Sequence, residues 1–237
     1  MRLRGRKGIR EELERQSDLV ILDPKQYKGR WSEFFGNDHP IHVELGMGKG
    51  KFISELSFRN PEVNYIGVDM YDELIRRGAE KARKFRVENG QPEEPENLAL
   101  ALLNIEHISE VFAEGEVERI YLNFSDPWPK KKHARRRLTH RGFLLKYKGF
   151  LNEWGQIHLK TDSRSLFEFS LNSFADMGLW MRNISLDLHG EGLREDLVLT
   201  EYESKFVEQG INIHRCEVLI GDRALEEHRR SLQEQSV

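Results

Sequence analysis

Ile41-His42-Val43-Glu44-Leu45-Gly46-Met47-Gly48-Lys49-Gly50-Lys51-Phe52-Ile53 decides how the rest of the chain is read. A short apolar run breaks into three glycines spaced G-x-G-x-G, and Phe52, Ile53 and Leu56 then follow helical spacing. A strand that turns through glycines into a helix opens a β-α-β unit. Working outward, Val63–Val68 is β-branched and aromatic and predicts a second strand. Leu74, Ile75, Ala79, Ala82 and Phe85 fit a 3.6-residue period. Leu98–Leu103, Arg119–Phe124 and Gln156–Leu159 read as three further strands, with a polar loop at Asn89–Asn97. Phe143, Leu144, Tyr147 and Leu151 suggest one helix, and Leu166–Phe174 an amphipathic one. Trp180–Leu188 and Ile211–Ile220 read as two last strands, close enough to pair as an antiparallel edge. The alternation predicts an α/β fold: a mostly parallel, doubly wound sheet with helices on both faces. Right-handed crossovers bring the C-terminal ends of the parallel strands to one edge, where ligands bind. Residues 1–30 precede this pattern and read as a basic arm with a short helix around Leu13–Leu19, leaving 31–237 as the main domain.

Composition agrees with a folded chain. The 237 residues carry a net charge of −3, 38% hydrophobic residues and 10% aromatics, against the aromatic-poor, highly charged profile of disorder. The longest apolar run, Leu98–Leu103, is too short to cross a membrane, and the N-terminus lacks the apolar core of a secretory signal. Cys216 is the single cysteine, so a disulfide framework or Cys-cluster metal site is excluded, and His39 and His42 are too loosely spaced to suggest a metal. The chain reads as soluble and cytoplasmic. Its charge is unevenly placed. Residues 1–10 carry +5 and residues 130–137 carry +6, both without an acid, so the remainder carries −14. Such a body suits a polyanion gripped at a defined place.

The glycine turn departs from the dinucleotide fingerprint, which places glycine where Lys51 stands. Gly46, Gly48 and Gly50 would let a ligand approach the backbone closely. Glu44, just before them, would crowd a pyrophosphate but suits the cationic sulfonium and α-amino group of S-adenosyl-L-methionine. Asp69 ends the second strand, 23 residues after Gly46, where a carboxylate can accept from ribose hydroxyls. Asn104 ends the third strand and can read an adenine edge; both residues are also ordinary helix caps or turn formers.

The fourth strand runs into Asp126-Pro127-Trp128-Pro129, which holds two of the seven prolines of the chain. Proline fixes its own φ and restricts the residue before it, so this loop is stiff. A rigid acceptor and an aromatic face followed by Lys130–Lys132 and Arg135–Arg137 form a tool set for a splayed-out nucleotide.

These segments, with Lys160-Thr161-Asp162 and Thr200-Glu201-Tyr202-Glu203, resemble the TrmB family of tRNA (guanine-N7-)-methyltransferases over nearly the whole chain. The resemblance implies a class I S-adenosylmethionine-dependent methyltransferase, with a Rossmann-like, mostly parallel seven-stranded sheet and an antiparallel edge strand. It implies methylation of guanosine at position 46 in the variable loop of tRNA; the sequence leaves monomer or homodimer open. Glu44, Gly46, Gly48, Gly50, Asp69, Asn104 and Asp126 match cofactor positions, and Asp126 matches the catalytic one. Lys130, Lys132, His133, Ala134, Arg135, Arg136, Arg137, Asp162, Thr200, Glu201, Tyr202 and Glu203 match substrate-contacting positions. Three alternatives use the same features: an NAD-dependent oxidoreductase, a methyltransferase-fold RNA-binding protein without activity, and a methyltransferase with another substrate. The missing third fingerprint glycine and the basic loop count against the first, and the intact Glu44, Asp69 and Asp126 against the second.

Overall fold

The computed structural model describes residues 8–194 and 196–234. Of the basic arm, residues 1–7, with Arg2, Arg4, Arg6 and Lys7, lie outside the described residues. The chain divides into two compact units, Met1–Ala113 with Asp196–Glu201, and Glu114–Glu195 with Tyr202–Val237.

The first unit holds α1 (Ile9–Glu14), β1 (Val20–Ile21), α2 (Trp31–Phe35), β2 (Ile41–Leu45), α3 (Lys51–Arg59), β3 (Asn64–Asp69), α4 (Asp72–Glu88) and β4 (Leu98–Leu102). Its strands lie in the order β1-β4-β3-β2, every neighbouring pair parallel. Every residue of β2 and β3 is buried, although β2 alternates apolar and polar residues, so His42 and Glu44 are polar side chains placed inside a sheet covered on both faces. Glu44 stands opposite Gly67, and Asp69 opposite Leu102. Two features differ from the arm expected over residues 1–30. Its helix is α1, which ends at Glu14 and packs on α4, and the chain then adds β1 to the outside of β4. Two residues are too few to show a strand period. With β1 the described residues form eight strands, one more than expected.

The second unit holds β5 (Val117–Asn123), α5 (Arg141–Lys148), β6 (Leu151–Thr161), α6 (Arg164–Asp176), β7 (Trp180–Ser185), α7 (Glu201–Glu208), β8 (His214–Leu219) and α8 (Asp222–Glu234). Only the first residue of α7 belongs to the first unit. The strand order is β5-β6-β8-β7, with β5 and β6 parallel and both β8 pairings antiparallel. The expected β7–β8 pairing is present, but the antiparallel strand is not the outer one: β8 is inserted between β6 and β7. Its burial pattern fits that place, since His214, Cys216 and Val218 are buried while Ile184 of β7 is half exposed. Leu151, expected in the helix of Phe143 and Tyr147, instead starts β6, because Gly149 ends α5. No helix of the described residues is long and apolar enough to cross a membrane.

Candidate active site

In the first unit the chain leaves β2 at Leu45, and the N–H groups of Gly46 and Met47 both donate to the Val68 carbonyl, at 2.9 and 3.0 Å. Gly46, Gly48 and Gly50 all take left-handed φ, at 83°, 56° and 74°. Their surroundings separate them. A β-carbon at Gly46 or Gly48 would meet nothing within 4 Å, whereas one at Gly50 would lie 2.9 Å from the Gly78 Cα in α4. Gly50 therefore serves helix packing, and the open space lies over Gly46 and Gly48. Met47 turns inward between Gly67 and Gly78, where β-carbons would come within 2.6 Å of its sulfur and 2.9 Å of its methyl group.

Asp69, at the tip of β3, binds the turn directly. Its Oδ2 accepts from the Gly48 N–H at 3.1 Å and its Oδ1 from the Tyr71 N–H at 3.2 Å. Burial raises this carboxyl above its ordinary value, against the lowering effect of the N–H groups of Tyr71, Gly48 and Met70. Glu44 is 2% exposed in β2. Asn104 acts as a cap: its Oδ1 accepts from the Glu106 N–H at 3.0 Å. Thr200 is buried, and Glu201 pairs with Lys81 and, at 3.3 Å, with Lys49 of the glycine turn. The two lysines were not legible in the sequence as partners of the Thr-x-Tyr-Glu motif. Burial, then Lys49 and Lys51, lower the Lys81 ammonium below its ordinary value. A cavity of about 710 Å³ beside α4, lined by Glu12, Gln16, Arg76 and Arg83, lies over none of the expected site residues. Its arginines already pair with Glu73, Glu80, Glu94 and Gln16.

In the second unit, β5 ends at Asn123 and the Phe124 N–H donates to the Lys160 carbonyl at 2.9 Å. Phe124 and Trp128 both take left-handed φ, 52° and 42°, which a β-carbon disfavours. Asp126 is exposed between them. Lys130, Lys131, Lys132, Arg135 and Arg136 are exposed on and beside a short 3₁₀ helix, with His133 and Ala134 partly covered. The Trp128 ring stacks on His133, centroids 5.7 Å apart, and lies 4.8 Å from the Arg136 guanidinium. Arg137 turns the other way and donates to the backbone of the Asp126 loop. Asp162 is exposed after β6.

Tyr202 is 60% exposed and stacks on Phe206, whose ring reaches Phe124. Glu203, expected among the substrate contacts, lies inside the unit. It is fully buried, accepts from the Lys160 ammonium at 3.0 Å on both oxygens, and meets His189 Nε2 at 2.9 Å. A buried carboxylate needs such partners. His189 belongs to no motif and lies 14 residues away, so its part was not legible in the sequence.

Within each unit, then, the strand tips gather the expected residues: a glycine turn with Asp69 in one, a strained aromatic loop with exposed cations in the other. A turn with backbone room and buried acids can take a cationic, ribose-bearing ligand, and the loop can stack and orient a base.

Comparison with known proteins bears on this chemistry. A family model described as "Putative methyltransferase" matches residues 38–216. The protein of Geobacillus sp. (strain WCH70) named tRNA (guanine-N(7)-)-methyltransferase is 49% identical over 92% of this chain and 95% of its own. The proteins of that name from Streptococcus sanguinis (strain SK36) and Bacillus subtilis (strain 168) are 48% and 44% identical, each over 92% of this chain and 98% of theirs. Among solved structures, the 16S rRNA methyltransferase KamB superposes with a TM-score of 0.59 at 12% identity, over 81% of this chain and 93% of its own. An antibiotic-related methyltransferase superposes with a TM-score of 0.56 at 15% identity, over 86% and 97%. The fold is the class I, Rossmann-like methyltransferase fold.

Proposed function

The chain belongs to the tRNA (guanine-N7-)-methyltransferase family, and from that premise we propose that it transfers the methyl group of S-adenosyl-L-methionine to N7 of guanosine 46 in the tRNA variable loop, in the cytoplasm. The observation that carries the reading is the 49% identity to a relative of that name over 92% of the chain. The first unit fits the cofactor: room lies over Gly46 and Gly48, and Glu44 and Asp69 are buried acids at the ends of paired strands. Glu44, Gly46, Gly48, Asp69 and Asn104 would hold it. S-adenosyl-L-methionine, when bound, supplies an electrophilic methyl group on a sulfonium.

The protein's own part is alignment. Guanine N7 carries a free lone pair and no proton, so no side chain has to remove one. Asp126 orients the base by accepting from N1–H and the 2-amino group, a donor pair that adenine lacks. A mismatched base leaves polar groups unpaired, at about 1–3 kcal/mol each. The stiff loop fixes the acceptor in place, and correct placement accounts for most of the rate. The exposed cations at 130–136 hold phosphates without reading sequence.

The test is methyl transfer from labelled S-adenosyl-L-methionine to an unmodified tRNA transcript, with nucleoside analysis of the product. We expect 7-methylguanosine with the natural transcript and none when guanosine 46 is replaced. Asp126→Asn should lower kcat and weaken guanine preference; unchanged turnover and preference would remove Asp126 from this role. Methylation of a different nucleoside would overturn the substrate assignment.

A further inference from the structure

The prolines of Asp126-Pro127-Trp128-Pro129 restrict its dihedral angles, but its own backbone does not anchor it to the rest of the fold. Two of its four residues lack an N–H, and among the described residues none of 125–129 makes a backbone–backbone hydrogen bond. Trp128 nevertheless keeps a left-handed φ of 42°. A conformation that sterics disfavour persists only where surrounding structure imposes it.

Arg137 supplies that hold. Its Nε donates to the Pro127 carbonyl and its Nη2 to the Trp128 carbonyl, each at 3.0 Å. Its guanidinium carbon lies 4.3 Å from the centroid of the Phe169 ring in α6. The neighbouring residues are fastened to the same helix. Thr139 and Ser170 share a buried 2.7 Å hydrogen bond, and His140 stacks on Phe169 at 11° between ring planes. Arg137 thus stands on α6 and reaches two successive carbonyls of the loop. The Nε–Nη2 edge, one of the two that could fork a phosphate, is already in use. Arg135 and Arg136, by contrast, are exposed.

We infer that Arg137 is a positioning residue that sets the Asp126 loop, and that it does not belong with the phosphate-binding cations beside it. The role in catalysis rests on the proposed part of Asp126; the hold on the loop does not.

Phosphate binding and loop positioning leave different signatures. Removing one cation that neutralises a phosphate lowers the slope of log affinity against log salt by about 0.7–0.9. Arg135→Ala should show that change. Arg137→Ala should leave the slope for tRNA binding as in the wild type and lower kcat by about 10²-fold, the usual effect of a displacement near 1 Å. Arg137→Lys keeps the charge but loses the planar two-donor edge and the guanidinium face on Phe169, so it should recover no more than about tenfold. If Arg137→Ala fails to fold, Arg137→Lys decides on kcat alone: its charge leaves the slope unchanged in either role, whereas only a positioning role lowers its kcat. A lowered salt slope with kcat retained, or full rescue by lysine, overturns the assignment.

Fluorine NMR of fluorotryptophan-labelled protein reads the loop without substrate, with the Trp128 signal assigned from Trp128→Phe. We expect one sharp Trp128 line in the wild type and a broadened or split line in both Arg137 variants. An unchanged line overturns the hold itself. If the wild type methylates no tRNA, the functional reading fails while this measurement still decides whether Arg137 sets the loop.

Discussion

A β-carbon at Gly50 would collide with α4, and one at Gly48 would point into open space. The two glycines share a motif and a left-handed backbone, yet they fail differently when changed. Gly50→Ala adds backbone strain and overpacking, for a loss of about 3 kcal/mol in urea unfolding. Gly48→Ala adds strain alone, about 1–2 kcal/mol, but it should weaken S-adenosyl-L-methionine binding by more than its stability loss suggests. Equal stability losses would show that the Gly78 contact is not what fixes Gly50. In the sequence, the glycines, Asp69 and Asp126 could be picked out because each follows directly from a strand end. The division of labour among the glycines could not, because it depends on Gly78, 28 residues away. Arg137 and Glu203 were grouped with their motif neighbours for the same reason: a motif shows which residues occur together, not which way each one turns.

At the scale of elements, β2 to β5 were readable to within a few residues, because each is a short run rich in apolar and β-branched residues bounded by turn formers, with β4 apolar throughout. The helix α7 was not. Its sequence, Glu201-Tyr202-Glu203-Ser204-Lys205-Phe206-Val207-Glu208, buries only Glu203. What holds it comes from elsewhere: Lys160, His189 and the Phe124 ring. Glu203→Gln withdraws the carboxylate from a buried ammonium and should destabilise the protein by about 3 kcal/mol. His189→Ala should cost about 1 kcal/mol, as the loss of one hydrogen bond. Thermal unfolding gives the totals, and hydrogen exchange of the α7 amides shows whether this helix loosens first. If Glu203→Gln lowered tRNA affinity with no change in stability, Glu203 would be a substrate contact after all.

Over the whole chain, the residues outside 1–10 and 130–137 carry a net charge of −14, while Lys130, Lys131, Lys132, Arg135 and Arg136 are exposed. Binding to tRNA should therefore be strongly salt-dependent and concentrated in few residues. Removing Lys131, Lys132 and Arg135 together should lower the log–log salt slope by about 2–3, measured by filter binding across a salt series. A slope that stays near the wild-type value would place the polyanion on another surface. The order of the strands bears on how the protein is made. β7 leaves the ribosome well before β8, yet β8 is the strand it pairs with, and β6 also waits for β8 on that side. Until residue 219 has been synthesised, a nascent chain carries two open strand edges that only β8 can close. Synthesis from the N-terminus therefore leaves the second unit's sheet incomplete until β8 emerges, and a chain stalled before β8 is the form most exposed to aggregation and quality control.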